Sequence, residues 1–527
     1  MTLYLVVVAA VVAVIVFKLS VKLDVFLAQR RFAKSHGTQD APSLGGDAFG
    51  LQNFLRMKRA MDRNENLDLL SSYFSEWTHS STFRSRLVGA EFFNTIDPEN
   101  IKAILSTKFA DFDLGLRHDA FYPLLGDGIF TLDNEGWSHS RALLKPQFTR
   151  QQVSDVAALE KHVQNLIELL PADGTVVDLQ ALFYKFTLDA STEFLFGDSV
   201  ESLRAVNPSV TNSDNNEKQN QSRQYVSAAG KADFATAFDL SQATLAKRIV
   251  FQKFYWLVNP AKFQTANQTV HKFVDSYVSK ALALSQDGKD HQSDRYVFLE
   301  ALVQDTRDPK VLRDQLLNIL LAGRDTTATL LSWTFYLLAR HPRVLEKLRS
   351  ALLEDFGPTL NHPGKKQINF ETLKSCTYLR YVLNEVLRLY PSVPQNFRIA
   401  NKHTVLPRGG GPDGTAPVFV RKGQKIFYSV YIVHRRTDLF GPDADQFRPE
   451  RWSEGKAWAW EYLPFNGGPR ICLGQQYALT EAGYVITRLL QLFDTIQPGD
   501  DEDKPLKKGL LTLSHVNGVH VSLKKTT

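Results

Sequence analysis

The stretch that most restricts the fold is "VLRDQLLNILLAGRDTTATLLSWTFYLLARHP", residues 311–342. Its apolar residues recur at three- and four-residue spacing and spread around nearly the whole helical circumference. A surface helix carries one apolar stripe, whereas a helix apolar on all sides must be wrapped by other elements. At about 1.5 Å per residue it runs for about 48 Å, and only a large domain can enclose it. A chain of 527 residues is long enough to build such a core. Within the helix sits "AGRDTT", residues 322–327. Asp325 and Thr326 there either form a single polar stripe or serve a purpose that offsets the cost of burying them.

The helical period continues upstream, in "DLQALFYKFTLDASTEFLFG" (178–197) and around 232–258 and 262–285. Between them "NPSVTNSDNNEKQNQSRQ" is polar and reads as a surface loop. After residue 395 the pattern changes to short β-branched and aromatic runs separated by glycine and proline, the mark of strands and hairpins. "RGGGPDG" lacks the Gly-Lys-Ser/Thr ending of a phosphate loop and no helix follows it, so it reads as a turn. "GQQYALTEAGYVITRLLQLF" returns to helix before a strand-like tail. The expectation is a mainly α fold with a small β-rich portion, residues 51–527 forming one catalytic domain.

Residues 1–27 open with "MTLYLVVVAAVVAVIVF", free of side-chain charge, and Lys18, Lys22, Arg30, Arg31 and Lys34 follow. The run is at the short end for a membrane span, but Leu19 to Leu27 lengthen it if Lys18 snorkels. The rival is a cleaved signal peptide, which lacks its basic n-region here. Positive charge after the span favours a single-pass anchor with a cytoplasmic body. Residues 28–50, including "SHGTQDAPSLGGD", then form a linker or hinge. A net charge of +6 is too small for this length to imply nucleic acid as a partner.

Only two cysteines occur, Cys376 and Cys472, so there is no disulfide framework. Cys376 lies in a helical pattern and reads as a small buried apolar residue. Cys472 lies in "FNGGPRICLG", residues 465–474, among glycines. A hydrolytic thiol needs a histidine base and an orienting partner, and the spacing shows neither. Zinc and iron–sulfur sites need further sulfur or histidine ligands, and redox relay needs a second nearby cysteine. An axial thiolate on a haem iron needs one cysteine only. It also suits a turn of Gly467, Gly468 and Gly474, where amides approach the sulfur and a helix N-terminus follows.

Phe465-Asn-Gly-Gly-Pro-Arg470-Ile-Cys472-Leu-Gly474 resembles the Phe-x-x-Gly-x-Arg-x-Cys-x-Gly signature of the cytochrome P-450 monooxygenases. The resemblance implies that fold and a thiolate-ligated haem b, with Cys472 as axial iron ligand, Arg470 on a haem propionate and Phe465 over the sulfur. "EGWSHSR" supplies Trp137 and Arg141 for a propionate, and "PQNFRIA" supplies Arg398 for the same task. "NEVLRLYP" supplies Glu385 and Arg388, and "FRPERW" supplies Arg451, the triad with which the family holds its cysteine loop. "AGRDTT" implies that Asp325 and Thr326 are an acid–alcohol pair delivering protons for dioxygen cleavage, beside a local opening of the helix at Gly323. The role of Arg324 stays open.

The likeness covers about residues 85–520 and is nearest to the fungal terminal hydroxylases of alkanes and fatty acids. "RHDAFYPLLGDGIFTLDNEGWSHSRALLKPQF" (117–148), "LPRGGGPDG" and "SVYIVHRR" carry it. The segment "FADFDLGLRHDAF" departs from that pattern. Phe112, Phe121 and Phe130 are candidates for an apolar substrate wall, or ordinary core. The implied reaction inserts one atom of O2 into a lipophilic substrate, a straight chain or alternatively a polyketide or other secondary metabolite. No flavin or nicotinamide segment is evident after the cysteine loop, so electrons come from a separate NADPH–cytochrome P-450 reductase at the endoplasmic reticulum membrane. A haem sensor or carrier is the alternative of another class, and the Asp325–Thr326 pair argues against it.

Overall fold

The computed structural model describes Tyr4, Val16, Ser20 and residues 27–148, 156–206, 227–286, 296–502 and 504–525. The anchor expected at 1–27 lies outside them apart from Tyr4, Val16, Ser20 and Leu27, and the polar loop 207–224 lies outside them entirely. Among the described residues no helix is long and apolar enough to cross a membrane. The chain divides into two compact units. The first comprises 1–113, 396–429 and 467–470; the second comprises 114–395, 430–466 and 471–527.

The first unit is built on a five-stranded sheet. Its strands are Thr82–Leu87 (β1), Ala90–Thr95 (β2), Phe112–Asp113 (β3), Gln395–Ala400 (β4) and, after a hairpin of Thr404–Gly410 (β5) with Ala416–Val420 (β6), Lys425–Ser429 (β7). The order is β1-β2-β7-β4-β3, with β2 parallel to β7 and β1 antiparallel to β2. "RGGGPDG" is the turn of the β5–β6 hairpin, where Gly409, Gly411 and Gly414 all have positive φ. The β1–β2 hairpin was not anticipated. Its turn places Val88 and Gly89 at φ 45° and 76°, and a β-branched residue is the last one expected there. Part of the expected linker pairs with β1. Arg84 N–H donates to Pro42 O at 2.7 Å, Leu44 N–H returns to Arg84 O at 2.8 Å, and Ala41 and Leu44 are buried.

The second unit is helical: Asn134–Leu144 (α1), Ala157–Ile167 (α2), Leu179–Phe196 (α3), Ala228–Val250 (α4), Ala261–Gln286 (α5), Pro309–Arg340 (α6), Pro342–Phe356 (α7), Thr377–Leu389 (α8) and Gln475–Leu492 (α9), with short helices between. The long apolar stretch is α6, unbroken over 32 residues. Asp308 caps it by accepting from the amides of Lys310 and Val311, Pro309 occupies its first turn, and it stops before Pro342. Leu316, Leu317 and Leu320 on its first half belong to the main core, with Phe121, Phe234 and Phe273. Phe234 and Phe273 stack at 3.9 Å between centroids, so much of the abundant phenylalanine packs ring on ring in the helical core. A three-stranded antiparallel sheet of Asp173–Asp178, His520–Lys525 and Phe493–Pro498 closes this unit.

Candidate active site

Cys472 ends a loop that its own backbone closes. Its amide donates to Phe465 O at 3.0 Å, just before α9 begins at Gln475. The Gly474 amide donates to the sulfur. Burial pushes the thiol pKa up, while that amide and the nearby Arg141 guanidinium favour the thiolate. The side chain nonetheless retains accessible surface. In the first unit Gly468 takes φ +68°, and a Cβ there would stand 1.8 Å from Leu105 O, so the loop needs glycine at this position. Asn466 is also left-handed, at φ 64°, and takes up the curvature expected of Gly467 and Gly474.

α1 holds the second part. Trp137 is buried, and Arg141 one turn later lies 5.9 Å from the Trp137 ring and donates to Ile471 O at 3.0 Å. Arg141 is therefore tied to the residue before the cysteine. Two further arginines belong to the first unit. Arg470 lies 5.9 Å from the Phe109 ring. Arg398 is buried, donates from one terminal nitrogen to Phe397 O at 2.8 Å, and leaves Nε without a hydrogen-bond partner. An orphaned buried guanidinium N–H fits an incoming carboxylate. With one exposed cysteine and no group of three potential metal ligands among the described residues, the donor set fits a haem held by a single thiolate.

The loop is braced by a buried charge network. Glu385 and Arg388, one turn apart on α8, form a bidentate pair at 2.8 and 2.9 Å with both side chains fully buried. Arg388 also donates to the carbonyls of His434, Ala444 and Gln446. Arg451 Nε is 3.4 Å from Glu385, and its terminal nitrogens meet Asp443 at 3.0 Å. Trp452 Nε1 and the Arg448 amide complete the Glu385 shell at 3.0 and 3.1 Å. Arg451 and Arg448 pull the Asp443 pKa down to about 2. His434, driven to about 3 by burial and Arg388, stays neutral; its Nδ1–H faces Arg388 O and its Nε2 accepts from Leu463 N–H at 2.8 Å. The triad thus reaches the approach to the cysteine loop through His434, which sequence reasoning missed along with Asp443 and Trp452.

Asp325 and Thr326 lie in unbroken helix. Thr326 Oγ1 donates to Ala322 O at 2.7 Å, one turn back on α6. Gly323 admits a close neighbour, since a Cβ there would lie 3.3 Å from Ser191 Oγ of α3. Burial pushes the Asp325 pKa up to about 6, against the opposing charge of Arg324. Its Oδ1 has no hydrogen-bond partner. A second buried acid follows the same pattern. Glu481 of α9 has both oxygens unpaired and is driven up to about 8, with only the Thr327 hydroxyl favouring its charge. The cost of a lone glutamate in "ALTEAGYVI" is the signal that could have found it.

The three phenylalanines lie on different elements. Phe112 pairs with Ala400 at the sheet edge of the first unit. Phe121 sits inside the main helical core of the second. Phe130 is partly buried, its amide held by Asn318 Oδ1 of α6 at 3.2 Å.

The family model described as Cytochrome P450 matches residues 51–521. Cytochrome P450 52A12 of Debaryomyces hansenii is 53% identical over 452 residues, covering 85% of each chain. Cytochrome P450 52A13 of the same organism is 48% identical over 94% of this chain and 93% of its own. Cytochrome P450 52A5 of Candida maltosa is 52% identical over 87% of this chain and 86% of its own.

Proposed function

Since this chain belongs to the cytochrome P450 family, we propose that it hydroxylates long straight chains, n-alkanes or fatty acids, at or near their end. The class is an oxidoreductase, a monooxygenase with a thiolate-ligated haem b. When bound, the haem supplies dioxygen binding and reduction at iron. Cys472 would hold it by the sulfur, Phe465 would cover that side, and Arg141, Trp137, Arg398 and Arg470 would take its carboxylates. The Gly474 amide and Arg141 moderate the sulfur's charge.

The observation that carries the reaction type is Asp325. A carboxyl with a pKa of about 6 holds a proton on about a tenth of molecules at neutral pH and regains it readily. It feeds that proton towards Thr326, whose Oγ1 spends its own hydrogen on Ala322 O and keeps its lone pairs to accept. A carrier or sensor has no use for such a pair. The straight-chain substrate is supported by the likeness of residues 117–148 to fungal terminal hydroxylases. Electrons come from an NADPH-dependent reductase, and a single-pass anchor at 1–27 places the catalytic body on the cytoplasmic side of the endoplasmic reticulum membrane.

Turnover with dodecane, laurate and a polyketide panel tests the substrate: terminal alcohols are expected, and no oxidation of any straight chain refutes the reading. Replacing Thr326 by Ala should divert reduced oxygen to hydrogen peroxide at the expense of alcohol. An unchanged product yield refutes the proton-delivery role.

A further inference from the structure

Arg324 has a defined place beside the proton-bearing acid. Its side chain is buried, yet one terminal nitrogen lies 2.5 Å from Asp239 Oδ1 of α4, a carboxylate more than half exposed. The same nitrogen stands 3.6 Å from Asp325 Oδ1, too far for a hydrogen bond. The guanidinium is flanked by the rings of Tyr184 at 5.5 Å and Phe238 at 5.8 Å. Solvent, Asp239, Arg324 and Asp325 therefore follow one another in that order.

We propose that Arg324 is a positioning residue for proton delivery, held by Asp239 at a distance that keeps Asp325 able to bind and release a proton. This rests on the reading of Asp325 as the proton donor. A guanidinium fork closed onto Asp325 would make a bidentate pair and lock it as carboxylate. With no guanidinium nearby, burial would shift it further towards the acid form. Asp239 competes for the fork and leaves Asp325 between these extremes. Arginine itself gives up no proton, so Arg324 sets occupancy and does not relay.

The groups facing Asp325 are few. Its own helix supplies Arg324 and α4 supplies Asp239. The Tyr184 phenol of α3 is kept neutral by burial, and Glu481 of α9, beside Thr327, is also largely neutral at pH 7. The two charged neighbours act in opposite senses. Asp239 raises the Asp325 pKa, by its own charge and by restraining Arg324, and Arg324 lowers it.

Two substitutions separate this from a structural role. In Asp239→Asn the Asp325 titration should move down, and in Arg324→Gln it should move up, each by about one pH unit, tenfold in the ratio of protonated to ionised carboxyl. The carboxyl stretch of Asp325 in the resting haem-loaded protein reads this directly, by infrared difference against Asp325→Asn. The pH at which hydrogen peroxide replaces alcohol should shift in the same two directions. Shifts of equal sign, or a midpoint unmoved in Asp239→Asn, overturn the proposal. Asp239 is surface-accessible, so that variant decides even if Arg324→Gln fails to load haem. If Asp325→Asn leaves coupling intact, the proton-donor reading fails instead, while the infrared midpoints still test the placement of Arg324.

Discussion

Replacing Glu481 by Gln should remove a pH dependence from the stability of this protein. Glu481 lies buried on α9, both carboxyl oxygens lack a hydrogen-bond partner, and its pKa is about 8 against an ordinary 4.5. The unfolded chain holds this proton only below about pH 4.5, whereas the native chain holds it to about pH 8. Between those values the native state binds one proton more, so stability falls as pH rises, by about 1.4 kcal/mol per unit. The contribution is complete below about pH 4.5, and its loss amounts to about 5 kcal/mol once pH passes about 8. Glutamine preserves the shape and cannot ionise, so its slope is missing. Urea unfolding of the detergent-solubilised holoprotein at pH 6, 7 and 8, followed by tryptophan fluorescence, measures the difference. The variant should gain about 2.5 kcal/mol on the parent between pH 6 and pH 8. Parallel curves would mean that Glu481 is ionised in the native protein and that its site is solvated.

Three further outcomes can be checked. Gly468→Ala drives a Cβ into a backbone carbonyl that no rotamer change can relieve, so it should cost about 3 kcal/mol or more and empty the haem site, read as Soret absorbance per protein. Arg388→Lys loses the bidentate pair and most of three carbonyl contacts at a fully buried position; a loss of about 3–5 kcal/mol in urea unfolding is expected, and an unchanged midpoint contradicts the bracing role. Cys472→Ser should retain far-UV circular dichroism yet lose the thiolate-type Soret band of the reduced carbon monoxide complex, whereas a retained band would remove Cys472 as ligand.

What the sequence determined by itself was whatever is encoded in short spacing. The helix α6 follows from apolar periodicity bounded by Asp308-Pro309 and Pro342. The Glu385–Arg388 pair follows from a three-residue interval on α8, and the cysteine loop from a run of ten residues. Tertiary structure decided what depends on chains meeting from a distance. Trp452 and Arg451, the latter held by Asp443, join Glu385 across some sixty residues, His434 connects Arg388 to Leu463, and Asp239 reaches Arg324 from another helix. No local period records such partners, because they are selected by the free energy of burying a charge and only the fold says which charges are buried. The same reason explains Gly323. In sequence a glycine near Asp325 suggested a gap in the helix; only the structure brings Ser191 of α3 against it, where a Cβ would stand 3.3 Å from the hydroxyl.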